Sequence, residues 1–172
     1  MNFDEVKDNA REKWNSALSK IEIETPASNE EAYNHSKKVT FYSALYHALL
    51  FPATFSDVDG KYMGLDNQVH TAQDFTYLSD FSLLDTHRAE MPLLTLVDPQ
   101  RSLNSIRTMM AQFDQGGWLP TPQQFGNSYT NDMIGDHPVA AIVDAYKKGI
   151  SDFDVEKAYE SVRKNAMETP PA

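Results

Sequence analysis

The sequence predicts an all-α fold interrupted by one small β element. Apolar residues recur at spacings of three and four through nearly every long segment. Helix-start and helix-stop residues punctuate those segments. Between Phe51 and Leu78 the helical period vanishes and turn dipeptides replace it. The chain has 172 residues, 41% of them hydrophobic and 23% charged, which suits one domain with a sizeable core.

Phe3, Val6, Ala10, Trp14, Ala17, Leu18 and Ile21 form the stripe of a first helix, ended by Thr25-Pro26. Ser28 and Glu31 have capping-box spacing for a second helix, which should run to about Leu50. Its half from Val39 to Leu50 is apolar on more than one side and should be deeply packed. Asp59-Gly60 and Asp66-Asn67 are turn signals, so Lys61-Tyr62-Met63 should pair with Gln68-Val69-His70 as a hairpin. A third helix is expected from about residues 79–82 through Leu94, kinked or split at Pro92. Asp98-Pro99 restarts a helix whose stripe Leu103, Ile106, Met110 and Phe113 stops at Gly116-Gly117. Helix five should span about Thr130 to Lys148 and helix six about Asp154 to Met167. Six helices as three hairpins fit a bundle, a solenoid or part of an (α/α) toroid.

Several chemistries fall away at this stage. Fifteen basic against 25 acidic residues give a net charge of −10, a poor surface for neutralising phosphates, so nucleic acid is not an expected partner. With no cysteine there is no disulfide, zinc thiolate or cysteine nucleophile. The five histidines show no pair at ligand spacing, and Asp57-Val-Asp-Gly60 lacks the later ligands of a calcium loop, so no metal site is expected. No signal peptide or membrane-crossing stretch is visible. A soluble chain without a membrane partner is expected, its compartment open.

Two clusters remain. Asp85, His87 and Arg88 share a helix start; Asp85 and Arg88, one turn apart, read either as a surface ion pair or as the polar mouth of a pocket. The stretch from Trp118 to His137 offers an aromatic ring, amides, and the carboxylates Asp132 and Asp136. A sugar site needs such groups, and helix caps use them too.

Six strings in order carry a family resemblance: Phe41-Tyr-Ser-Ala-Leu-Tyr-His-Ala-Leu-Leu50, Phe55-Ser-Asp-Val-Asp-Gly60, Phe81-Ser-Leu-Leu-Asp-Thr-His-Arg88, Pro92-Leu-Leu-Thr-Leu96, Gly116-Gly-Trp-Leu-Pro120, and Met133-Ile-Gly-Asp-His137 with Asp144-Ala-Tyr146. Together they resemble glycoside hydrolase family 92, which contains exo-acting α-mannosidases, many of them α-1,2-specific. The resemblance implies half of an (α/α)₆ toroid and an inverting mechanism with bound calcium, in which one carboxylic acid protonates the leaving oxygen while a carboxylate activates water. It implies that Asp85, Arg88 and His137 face the sugar, and that Gly116, Gly117 and Pro120 form the turn leading to the next loop.

The departures from the family pattern matter as much. Leu84 replaces a usual Trp, and Pro122 falls near another. Tyr129 stands where the acid Glu usually is, with Asp132 as an alternative acid one turn away; family members that cleave mannosyl phosphates also lack that Glu. The base and calcium ligands would lie beyond Ala172. The expectation is therefore an incomplete, inactive α-mannosidase piece that binds no calcium by itself. The alternative is a non-catalytic carbohydrate-binding or protein-interaction module. The expected partners are an α-mannoside, weakly held if at all, and either a second copy in a homodimer or a missing second half.

Overall fold

The computed structural model describes residues 2–24, 26, 31–120, 129 and 135–169. The chain divides into two compact units, Met1–Leu50 and Phe51–Ala172.

The first unit is a helical hairpin. Helix α1 (Phe3–Leu18) begins with a reciprocal capping box: Glu5 N–H donates to Asn2 Oδ1 at 2.9 Å, and Asn2 N–H donates to Glu5 Oε2 at 3.0 Å. Helix α2 (Glu31–Ala48) closes on it through Trp14, tilted against Tyr46 at 4.6 Å, and through the Tyr42 hydroxyl, which donates to the Ile21 carbonyl at 3.1 Å. The capping residue anticipated for α2, Ser28, lies outside the described residues. The deep packing anticipated for Val39 to Leu50 is not found within this unit. Leu45 and Leu49 are buried, whereas Val39, Tyr46 and Leu50 are exposed. A lone partner helix covers one face only.

The second unit opens with two short antiparallel pairs. Strands β1 (Ala53–Thr54) and β4 (Leu78–Ser79) set Ala53 opposite Ser79. Strands β2 (Lys61–Met63) and β3 (Val69–Thr71) form the expected hairpin, with Tyr62 opposite His70. Tyr62 stacks on Tyr77 with centroids 3.7 Å apart, which seats the hairpin on the core. Helices α3 (Leu83–Thr86), α4 (Glu90–Val97), α5 (Pro99–Gly116), α6 (His137–Lys147) and α7 (Val155–Met167) follow.

Helix α5 is the centre, with β4, α4, α6 and α7 packed around it. Its start and stop match the sequence expectation: the Asp98 carboxylate accepts from Arg101 N–H, Pro99 fills the first turn, and Gly117 closes the helix at φ 80°. Ile106 and Met109 are fully buried, each contributing about 1.5–3 kcal/mol, and meet a core that includes Leu83, Leu94 and Leu119. The same helix buries Ser105 and Thr108. Their hydroxyls donate back to the carbonyls of Arg101 and Asn104, and Thr108 Oγ1 also accepts the Leu78 N–H at 3.1 Å.

One expected helix is divided, and not at Pro92. The break falls at residues 87–89, and Pro92 lies in the first turn of α4, where its missing N–H costs nothing. Helix α6 begins at His137; residues 130–134, anticipated as its start, lie outside the described residues. Among the described residues no helix is long and apolar enough to cross a membrane.

Candidate functional site

The segment carrying Asp85 is folded by an unusual backbone. Asp80 and Ser82 both adopt left-handed conformations, at φ 59° and 39°, on either side of Phe81, whose side chain is almost wholly buried. Such conformations in residues other than glycine are uncommon and persist where surroundings enforce them. The enforcing contacts are local. Thr86 Oγ1 donates to the Phe81 carbonyl at 2.7 Å, and the amides of Asp85 and Thr86 both donate to Ser82 O. Thr86 thus braces the turn, while Asp85 is left exposed and accepts from Ser82 Oγ at 2.9 Å. Arg88 is exposed as well, and the Asp85–Arg88 ion pair does not form.

This turn meets the start of α6. The His87 imidazole stacks on that of His137, centroids 4.3 Å apart and planes 17° apart. His87 Nδ1 lies 2.7 Å from the Leu83 carbonyl, an acceptor, so the proton is assigned to Nδ1. His137 Nε2 is buried without a hydrogen-bond partner. Its ring folds back over Gly135, φ 109°, where a Cβ would overlap the imidazole. That explains the Gly-x-His spacing: the backbone must bend left-handed and carry no side chain under the ring.

The third part is the C-terminal end of α5. Lys164 of α7 places its ammonium over the Trp118 ring at 4.6 Å, occupying a face that the sequence offered for sugar stacking. Asn165, which the sequence reading missed, joins two site segments: its Nδ2 donates to Asp136 Oδ1 at 3.1 Å and its Oδ1 accepts from Leu119 N–H at 3.4 Å. Tyr129 packs against Gly116, and its hydroxyl donates to the Trp118 carbonyl at 2.5 Å. Burial pushes its pKa up to about 12. A phenol so placed holds its proton and spends it on the backbone. Asp132 and Pro122 lie outside the described residues, and Leu84 is half-buried.

One titratable group of this region was invisible in the sequence. Glu90, at the first position of α4, is half-buried with Oε1 unpartnered, and burial raises its pKa from 4.5 to about 7 against the attraction of Arg101. The Arg101 guanidinium donates through Nη2 to the Pro52 carbonyl at 2.6 Å.

The described residues do not fit a metal ion: no group of three or more His, Asp or Glu converges among them. Asp59, in the calcium-like string, is held by Lys61 at 2.6 Å in a tight turn.

The His87–His137 stack thus sets the turn that carries Asp85 and Arg88 against the start of α6, with Trp118 and Tyr129 at the end of α5. The sequence profile of the glycosyl hydrolase family 92 catalytic domain matches residues 1–172, and the chain belongs to this family. It is similar to the solved structure of the family GH92 alpha-mannosidase BT3965 from Bacteroides thetaiotaomicron, with 33% identity and a TM-score of 0.86 over 98% of this chain and 22% of that one. It is also similar to the family GH92 inverting mannosidase BT2199 from Bacteroides thetaiotaomicron VPI-5482, with 31% identity and a TM-score of 0.80 over 94% of this chain and 21% of that one. The chain thus spans about a fifth of the length of these structures. No curated protein matches it.

Proposed function

We propose that this chain forms one wall of an α-mannoside-binding pocket of the kind used by inverting, calcium-dependent α-mannosidases, and that alone it does not hydrolyse mannosides. The observation that carries the reading is the buried, unpartnered His137 Nε2, in a chain 33% identical to an α-mannosidase. A buried polar atom without a partner costs free energy, and a sugar hydroxyl would supply the missing bond. Asp85 and Arg88, exposed on the adjoining turn, offer an acceptor and donors for neighbouring hydroxyls. Inversion needs an acid and a base on opposite faces of the sugar. Tyr129, at the position the resemblance gives to the acid, is committed to Trp118 and supports inactivity. Calcium, when bound to a complete family member, would polarise and orient the sugar hydroxyls; the described residues offer no group of three or more ligands to hold it.

The experiment is paired. Purified protein with calcium and α-1,2-mannobiose should release no mannose, and measurable release would refute inactivity. With Trp14 replaced by Phe, mannose should change Trp118 emission saturably; a flat titration would remove the sugar-binding reading and leave the non-catalytic interaction module. Val143, Tyr146, Val155 and Tyr159, exposed on α6 and α7, support association with a second copy or with the remaining helices of a toroid. Light scattering that found a stable monomer at tens of micromolar would refute self-association.

A further inference from the structure

We propose that His87 is a positioning residue: it fixes the orientation of the His137 imidazole over Gly135 and so the place of its buried Nε2. The sugar-binding arm of its test rests on the function proposed above, while its structural arm does not.

Two contacts define where the His137 ring can lie, the His87 face at 4.3 Å and the backbone of Gly135 beneath it. His137 is the first residue of α6, where helix geometry alone leaves several ring orientations open. His87 is in turn held by its hydrogen bond to Leu83 O, within the braced turn of Asp80 to Thr86. Rigidity thus passes from a strained backbone to one imidazole, and from that imidazole to the next. The arrangement gives a specific reason for a ring at the variable place of Asp85-Thr86-His87-Arg88. A planar π-face there supports His137, and a nitrogen at Nδ1 fixes the angle of that face. It also leaves His87 Nε2 without a proton in the neutral ring, able to accept but not to compete for the Leu83 carbonyl.

The test uses the whole chain, labelled with ¹⁵N and ¹³C at histidine, with the His137 signals assigned by their absence in His137→Asn. In the native protein the His137 ring protons should be shielded by the stacked His87 ring. In His87→Ala that shielding should be lost, and mannose affinity, read from Trp118 emission in a Trp14→Phe background, should fall roughly three- to ten-fold, as expected for one aromatic pair. His87→Phe should retain the shielding and most of the affinity, which covers the case in which the alanine variant fails to fold. His137 signals unchanged in a folded His87→Ala would overturn the proposal, as would a His87→Phe variant that loses the shielding. If native protein binds no mannose, the sugar-binding function falls, and the ring shifts still decide the role of His87.

Discussion

Replacing Glu90 by Gln should stabilise the protein above neutral pH and leave it unchanged in acid. The native carboxyl has its pKa raised from 4.5 to about 7, chiefly because burial penalises the charged form. A carboxyl whose folded-state value is raised contributes stability that is fully present below pH 4.5. That stability is lost as pH climbs through 7, where the folded chain must ionise a poorly hydrated group. The interval from 4.5 to about 7 corresponds to a ceiling of about 3.4 kcal/mol. Glu90 is only half-buried, so water screens part of this, and about 1–2 kcal/mol is the expected effect. Gln keeps the shape and removes the charge. Arg101 retains its bond to the Pro52 carbonyl, so the variant does not strand the guanidinium. Urea unfolding followed by circular dichroism at pH 4.5 and pH 8 gives the two differences between variant and native protein, and taking differences cancels the other carboxylates. The variant should match native protein at pH 4.5 and exceed it by about 1–2 kcal/mol at pH 8, a few degrees in melting temperature. A pH-independent difference, or a variant weaker at pH 8, would refute the reasoning.

Tyr129→Phe should lower stability by about 1–2 kcal/mol, because the Trp118 carbonyl loses its donor, and should leave any mannose titration unchanged. Abolition of binding with full stability would instead make the phenol a ligand. Asn165→Leu removes both bonds of the bridge between Asp136 and Leu119 and should cost about 1 kcal/mol. It should also raise hydrogen exchange at the Leu119 amide, and exchange identical to native would show that the bridge is not formed in solution.

The legible part of this fold is the part decided by neighbours in sequence. Asp98-Pro99 and Gly117 bound α5 as expected because a cap needs only the adjacent residues, and the hairpin from Lys61 to Thr71 follows from its turns. The break between α3 and α4 was not legible. It depends on burying Phe81 between two left-handed residues and on the Thr86 hydroxyl returning to a carbonyl five residues back. At the site, Asp85, Arg88 and His137 were named from a resemblance, and the structure brings their segments together through His87. That meeting links residues 50 positions apart and leaves no periodic trace. Glu90 looked like any first-turn acid, since only the packed structure reveals its lost hydration. Asn165 was missed because its role exists only once α7 lies beside the ends of α5 and α6.

The Thr108 hydroxyl donates to one backbone group and accepts from another in a different element. Because that oxygen receives the amide just ahead of Ser79, the strand leading to the turn that bears Asp85 is moored to the central helix through Thr108. Sliding it by one residue would strand a buried N–H, so its placement is discrete rather than graded. A valine of equal size would fill the same volume and erase that bond. Threonine thus works here as an alignment mark between segments 30 residues apart.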